Sequence, residues 1–156
     1  MALRTQVTGA QYPLSVAFDF NYDDTMENTS GTAVAFGALT SGSNTVFDLF
    51  YPPPGAVVVG GRVIVATAFA TSSANTVDIG DSDDTDRYTE TGAINLQDPD
   101  APVTGFDLLG DGKVYDGSQA VRLTFSNATG AATAGRAIIV VEMVVPNRQN
   151  ENLKTT

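Results

Sequence analysis

The stretch Val57–Phe69, VVVGGRVIVATAF, constrains the fold more than any other. Val57, Val59, Gly61, Val63, Val65, Thr67 and Phe69 alternate along one side. Val58, Gly60, Arg62, Ile64, Ala66 and Ala68 alternate along the other. Branching at Cβ stiffens χ1 and suits a pleated surface better than a helix. The first side is nearly all apolar and the second half apolar, which predicts a central strand with one buried and one partly covered face. A polar turn follows (71–75), then a short strand (Thr76–Ile79), then a dense acidic loop (Gly80–Arg87). Val57–Phe69 and Thr76–Ile79 read as a hairpin, the seed of an all-β fold.

The rest of the chain extends that pattern. Tyr12, Leu14, Val16, Phe18, Phe20 and Tyr22 alternate with polar or small residues, predicting a half-buried antiparallel strand. Pro13 near its start points to a sheet edge, where a missing N–H costs no ladder bond. Asp24–Gly31 reads as a loop and Thr32–Leu39 as a weaker strand with Val34 and Phe36 facing together. Thr45–Tyr51 follows, with Phe47, Leu49 and Tyr51 on one face. Pro52–Pro53–Pro54 has no N–H donors, stays extended, and reads as a stiff connection rather than a polyproline ligand. Further on come a short strand at Gly92–Leu96 and a Gly110–Asp111–Gly112 hairpin turn between Phe106–Leu109 and Lys113–Asp116. Ala120–Ser126 is a strand with Val121, Leu123 and Phe125 inward and Arg122 and Thr124 outward. Ala137–Val145 is apolar on both faces except for Glu142, the mark of a strand central in a sheet or at an interface.

At 156 residues one domain is expected. The expected layout is an N-terminal arm (1–11), one β-domain (12–146) and a polar C-terminal tail (147–156). About eight amphipathic strands bury their faces most simply by packing two sheets together, so the predicted fold is a jelly-roll-like β-sandwich of antiparallel strands.

Composition narrows the chemistry. The chain has no cysteine and no histidine, so it lacks a thiolate, the usual base near neutral pH and the commonest nitrogen ligand. A formal charge of −10 opposes nucleic acid and anionic membrane as partners and favours solubility or a basic protein surface. MALRTQVTG has no apolar segment of a signal peptide, and no run reaches transmembrane length.

The acidic cluster Asp78, Asp81, Asp83, Asp84 and Asp86, with Glu90 nearby, invites a calcium reading. An EF-hand loop starting at Asp81 fits at Asp83. It fails at Thr85 and Asp86, which replace the fifth ligand and the required glycine, and at Gly92 in place of the terminal glutamate. The competing reading is a sharp loop whose carboxylates cap their own backbone, with Arg87 balancing charge. That reading is preferred, and no metal or cofactor is assigned. No pair of carboxylates is placed by the sequence for acid–base work, so no catalytic residue is named and the chain is read as non-enzymatic. A carbohydrate-binding module fits a β-sandwich, but with no tryptophan its stacking platforms outside the Tyr12–Tyr22 strand reduce to Tyr51, Tyr88 and Tyr115.

GAVVVGGRVIVATAF, NTVDIGDSDDTDRY and GRAIIVVEMVV together resemble the head decoration, or cement, proteins of tailed bacteriophages, over Gly55–Tyr88 and Gly135–Val145. That resemblance implies a jelly roll on the outer surface of a capsid. It also implies self-association as a homodimer or trimer, and bridging of major capsid subunits without direct contact to nucleic acid or membrane. It carries no catalytic residues. It implies a structural turn at Gly80, Asp81, Asp86 and Arg87, in which Arg87 bridges Asp81 or Asp86. Capsid contacts through Arg4, Arg148 and Lys154 are implied on the terminal segments. A tail or baseplate component, or a calcium- or carbohydrate-binding sandwich, are the alternatives.

Overall fold

The computed structural model describes residues 13–39, 45–71, 75–98, 103–106, 113–128 and 130–145. The arm 1–11, the tail 147–156 and the 110–112 turn lie outside the described residues. Within them the chain is all-β, with ten strands: β1 (Leu14–Asn21), β2 (Thr25–Glu27), β3 (Ala33–Ala35), β4 (Thr45–Phe50), β5 (Val57–Thr67), β6 (Asn75–Gly80), β7 (Ile94–Asn95), β8 (Val103–Gly105), β9 (Val121–Ala128) and β10 (Arg136–Val144).

Two four-stranded sheets form the sandwich, β1-β10-β5-β8 and β4-β9-β6-β7, and β2-β3 form a small separate ribbon. Every pairing is antiparallel: β1 with β10, β4 with β9, β5 with β8 and β6 with β7. Without the ribbon, this is one long hairpin rolled up, first strand against last and so on inward. The pairings β10·β5 and β9·β6 close the roll. The result is a jelly roll.

The expected hairpin between Val57–Phe69 and Thr76–Ile79 does not form, because β5 and β6 lie in different sheets. The chain leaves β5 at Phe69 and Ala70, whose N–H groups donate to Leu96 and Ala134. Crossing over lets both strands bury apolar faces in one core. Val63 and Val65 do so beside Ile139 and Ala137, and Val77 and Ile79 beside Phe125 and Leu123. A flat hairpin would have put all of these on one sheet with nothing opposite.

β5 and β10 are central strands, as their two-sided apolar patterns predict. The alternation of β5 is interrupted, however. Met143 opposes Val58 and Glu142 opposes Gly60, so Val59 is the extra residue of a bulge. Beyond it Val63 and Val65 point inward, but before it the inward residue is Val58, while Val59 is 40% exposed. A similar shift at Leu49 in β4 leaves Phe47 fully buried and Tyr51 58% exposed, although both fall on one face by simple counting. The stretch Asp24–Gly31, expected as a loop, contains β2, which pairs with Ala33–Ala35. The flanks of the expected 110–112 hairpin do not pair with each other where they are described. Phe106 donates its N–H to Gly61 of β5, and Val114 bridges to Val57 of the same strand.

The core is aromatic where the ribbon meets the sandwich. Phe20 comes from one sheet, and Phe47 and Phe125 from the other. Phe36, just after β3, lies between them, with ring centroids 4.6 Å from Phe20 and 4.8 Å from Phe47. The ribbon thus drives a wedge that joins the two layers, within the range where ring pairs add to simple burial.

Candidate functional site

The acidic loop begins where β6 ends, and its path is set by Gly80. A Cβ there would stand 2.2 Å from the Asp84 carbonyl oxygen and 2.4 Å from the Thr85 carbonyl carbon. Only a residue without a side chain lets the loop fold back so closely. The return leg docks on β6: the Tyr88 N–H donates to the Ile79 carbonyl, and the Ile79 N–H donates to Thr89 Oγ1.

Asp81 is the centre of this loop and is fully buried. Its Oδ1 accepts the N–H groups of Asp83 (2.8 Å) and Asp84 (3.1 Å). Its Oδ2 accepts Arg87 Nε at 2.6 Å and lies 3.1 Å from Lys113 Nζ. Burial pushes its carboxyl up. The Asp83 N–H, the Lys113 ammonium and the Arg87 guanidinium outweigh that and hold it below the usual carboxylate range. Lys113 also reaches Asp83 (2.8 Å), and Gln119 donates to Asp83 as well. Arg87 thus bridges Asp81. Asp86 accepts Thr91 Oγ1 and pairs with Asp84, whose carboxyl is raised by that contact.

Next to this knot, Asp78 is almost completely buried on the outer face of its sheet. Its Oδ1 accepts the Gly92 N–H at 2.6 Å. Burial raises its carboxyl, and that bond only partly offsets the shift. Thr124, opposite Asp78 in the register and expected outward, is also buried, so this part of the outer face is covered rather than open.

Below the knot the loop is anchored in the core. Tyr88 and Tyr115 are buried and their hydroxyls meet at 2.6 Å, while Tyr88 stacks on Phe106 at 6.0 Å. The Phe106 ring fills the space over Gly61, where a Cβ would stand 2.3 Å from it. Glycine within β5, Phe106 beyond β8 and Tyr88 at the loop's return are therefore one packed unit. With both rings inside, neither Tyr88 nor Tyr115 offers a face to a sugar. Tyr51 is exposed and donates its hydroxyl to Asp48.

These contacts set what the loop can do chemically. The Asp81 oxygens that a calcium ion would need are already given to backbone N–H groups, Arg87 and Lys113. Among the described residues no group of three or more His, Cys, Asp or Glu side chains is arranged to hold a metal ion. The arrangement is a salt-bridged clasp on the rim of the sandwich. Lys113, Tyr115 and Gln119 complete it from far along the chain, and nothing in the local sequence links them to the loop. Arg4, Arg148 and Lys154 lie outside the described residues.

The comparisons with known proteins bear on the fold. A chain in the capsid asymmetric unit of cyanophage Pam1 superposes with a TM-score of 0.54 at 18% identity, covering 89% of this chain and 92% of that one. This chain has the fold of a phage capsid component. Two further capsid structures also align. One is from Ralstonia phage GP4 (TM-score 0.48, 15% identity, 91% of each chain). The other is the acid-stable capsid of Helicobacter pylori bacteriophage KHP30 (TM-score 0.45, 13% identity, 86% of this chain and 95% of that one). No family model matches the chain, and no curated protein sequence matches it.

Proposed function

We propose that the chain is a non-enzymatic decoration, or cement, protein that binds the outer surface of a phage head and braces the shell by bridging major capsid subunits. The observation that carries this reading is the end-to-end match of the jelly roll to a capsid chain of nearly the same length, 89% and 92% covered. The acidic loop supports it in a second way. A cluster that resembles a metal or catalytic site is spent on internal ion pairs, which suits a rigid scaffold. The net charge of −10 fits a position outside the shell, away from packaged nucleic acid.

In this reading the protein self-associates as a homodimer or trimer. Gly80, Asp81, Asp86 and Arg87 form a structural turn, and the terminal segments 1–11 and 147–156 carry capsid contacts through Arg4, Arg148 and Lys154. Each contact is weak alone. Repetition over a symmetric shell raises the effective concentration and therefore the hold. Prying capsomers apart then requires breaking the decoration contacts as well.

Electron cryo-microscopy of the source particle tests the reading directly, with density for this fold expected on the outer surface between major capsid subunits. Purified protein is also expected to bind expanded shells that lack it and to raise their disruption temperature. Failure to bind such shells, with density instead in the tail or baseplate, would replace decoration with the other virion role.

A further inference from the structure

A jelly roll has four sheet edges, and the chain treats them differently. β7 and β8 are only two and three residues long. β4 is bulged at Leu49, and its Val46 carbonyl accepts the Thr29 N–H from the ribbon. Short, bulged or covered edges are the usual protections against unwanted pairing. Among the described residues, β1 has none of them. It is eight residues long and runs against β10 without a register shift.

The orientation of its backbone follows from its end. Tyr22, opposite Gly135, donates its N–H to that carbonyl, so the even-numbered residues of β1 bond to β10. Asn21 turns the other way: its N–H goes to Asp24 Oδ2 and its carbonyl accepts the Asp24 N–H. By the same alternation the N–H and C=O groups of Ser15, Ala17 and Asp19 face the open edge, where they have no hydrogen-bond partner among the described residues. The core-side residues beside them are poorly covered. Leu14 is 43% exposed, and Val16 and Phe18 are only half-buried, whereas Phe20 at the far end is 1% exposed.

We propose that β1 pairs antiparallel with β1 of a second copy about a two-fold axis through Ala17, joining two four-stranded sheets into one. The pairing is self-complementary. Ala17 meets Ala17, and Ser15 meets Asp19 of the other copy. On the core side Val16 lies beside the second copy's Phe18, and Leu14 beside its Phe20, so the exposed apolar residues gain cover. The charged residue does not oppose itself. The two Asp19 side chains lie about 13 Å apart at the strand rise, beyond a Debye length at physiological salt. Each Asp19 carboxylate is also already held by Arg136 at 2.6 Å. β1 carries no lysine or arginine that would be buried or repelled. This pairing deepens the self-association in the reading above and rests on it.

The chain has no cysteine, so single thiols report the register cleanly. In the proposed dimer Ala17 and its mate form a hydrogen-bonded pair with Cα atoms about 5.5 Å apart, within disulfide range. Under mild oxidation in solution, Ala17→Cys is expected to give a linked dimer as the main product. Ser15→Cys and Asp19→Cys are each expected to stay largely unlinked alone but to link when mixed. Ala17→Pro removes one edge N–H, and its sedimentation is expected to shift to monomer; should it fail to fold, the cysteine set still decides. No Ala17→Cys dimer, or equal linking by all three single variants, overturns the proposal. So does occupation of the edge by the chain's own residues 1–12 or by a capsid segment, since neither links Ala17 to Ala17. Shell binding is measured separately on the wild-type chain. A protein that decorates shells but does not link through Ala17 loses only this proposal, and a linked dimer that ignores shells loses only the decoration reading.

Discussion

The acidic clasp and the β1 edge lie on the rim of the same sandwich and are opposites. The clasp carries most of the charge that draws the eye, yet its central carboxylate is buried with four donors around it. The β1 edge carries one carboxylate, already paired, and a row of backbone groups without partners among the described residues. On the proposed β1 pairing, charge density is a poor guide to where this molecule meets others. Unsatisfied hydrogen-bonding capacity beside exposed apolar surface is the better guide, because water must be displaced and bonds gained for an interface to hold.

The contrast can be tested by substitution on each side. Asp81→Ala should be the most damaging change, at about 3–5 kcal/mol, because it removes the buried carboxylate that Arg87 and Lys113 share and that accepts the Asp83 and Asp84 N–H groups. Urea unfolding measures it, and a cost below about 1 kcal/mol would mean the clasp is decoration on an already rigid turn. Gly80→Ala comes next, at about 1–3 kcal/mol, since its Cβ would meet loop backbone that has no free rotamer to yield. The same unfolding curves report it.

Protonation sharpens the comparison within the clasp. Asp81 is held below the usual carboxylate range, so its contribution is complete above that range and is lost as pH falls through and below about 4. Asp78 is shifted upward, so it has the opposite sign: the folded state binds its proton more readily, and its charged form costs stability above the usual range. Asp78→Asn keeps an acceptor for the Gly92 N–H without the charge. It should stabilise the protein at neutral pH, with the gain shrinking near pH 4. Unfolding midpoints at both pH values measure this, and a loss at neutral pH would show that the carboxylate is needed as an anion.

Smaller effects are expected outside the clasp. Ala17→Pro on the β1 edge should change monomer stability by no more than about 0.5 kcal/mol, because the lost N–H faces away from β10. Its thermal midpoint checks this at a concentration where the wild type is monomeric. Adding calcium or a chelator should leave the melting temperature unchanged. A calcium-dependent rise would show that an ion competes successfully with Arg87 and Lys113 for the Asp81 oxygens.

Local pattern made much of the architecture legible. β-branched alternation marked β5, the inward set Val121, Leu123 and Phe125 marked β9, the Tyr12–Tyr22 alternation marked β1, and Pro13 placed it at an edge. The two-sided apolar character of Ala137–Val145 placed β10 inside its sheet. In the acidic loop, the carboxylates beside Arg87 pointed to a self-capped turn, and Asp81 does accept the Asp83 and Asp84 N–H groups and Arg87. Where the expectations failed, a partner distant in sequence had won. Thr76–Ile79 pairs with β9 and not with the strand before it, and Val59 and Leu49 are displaced by bulges that exist only relative to β10 and β9.

Alone, then, the sequence determined the strand periods, the absence of thiol and imidazole chemistry, the acidic balance and the residues available for a clasp. Those properties belong to single residues and their near neighbours. Tertiary structure decided which sheet each strand joined, that Lys113 and Gln119 close the Asp81 knot, that Phe106 fills the space over Gly61, and that among the described residues one edge of four has no hydrogen-bond partners. Each of those outcomes depends on contacts across dozens of residues, where burying apolar faces against each other outweighs any local preference.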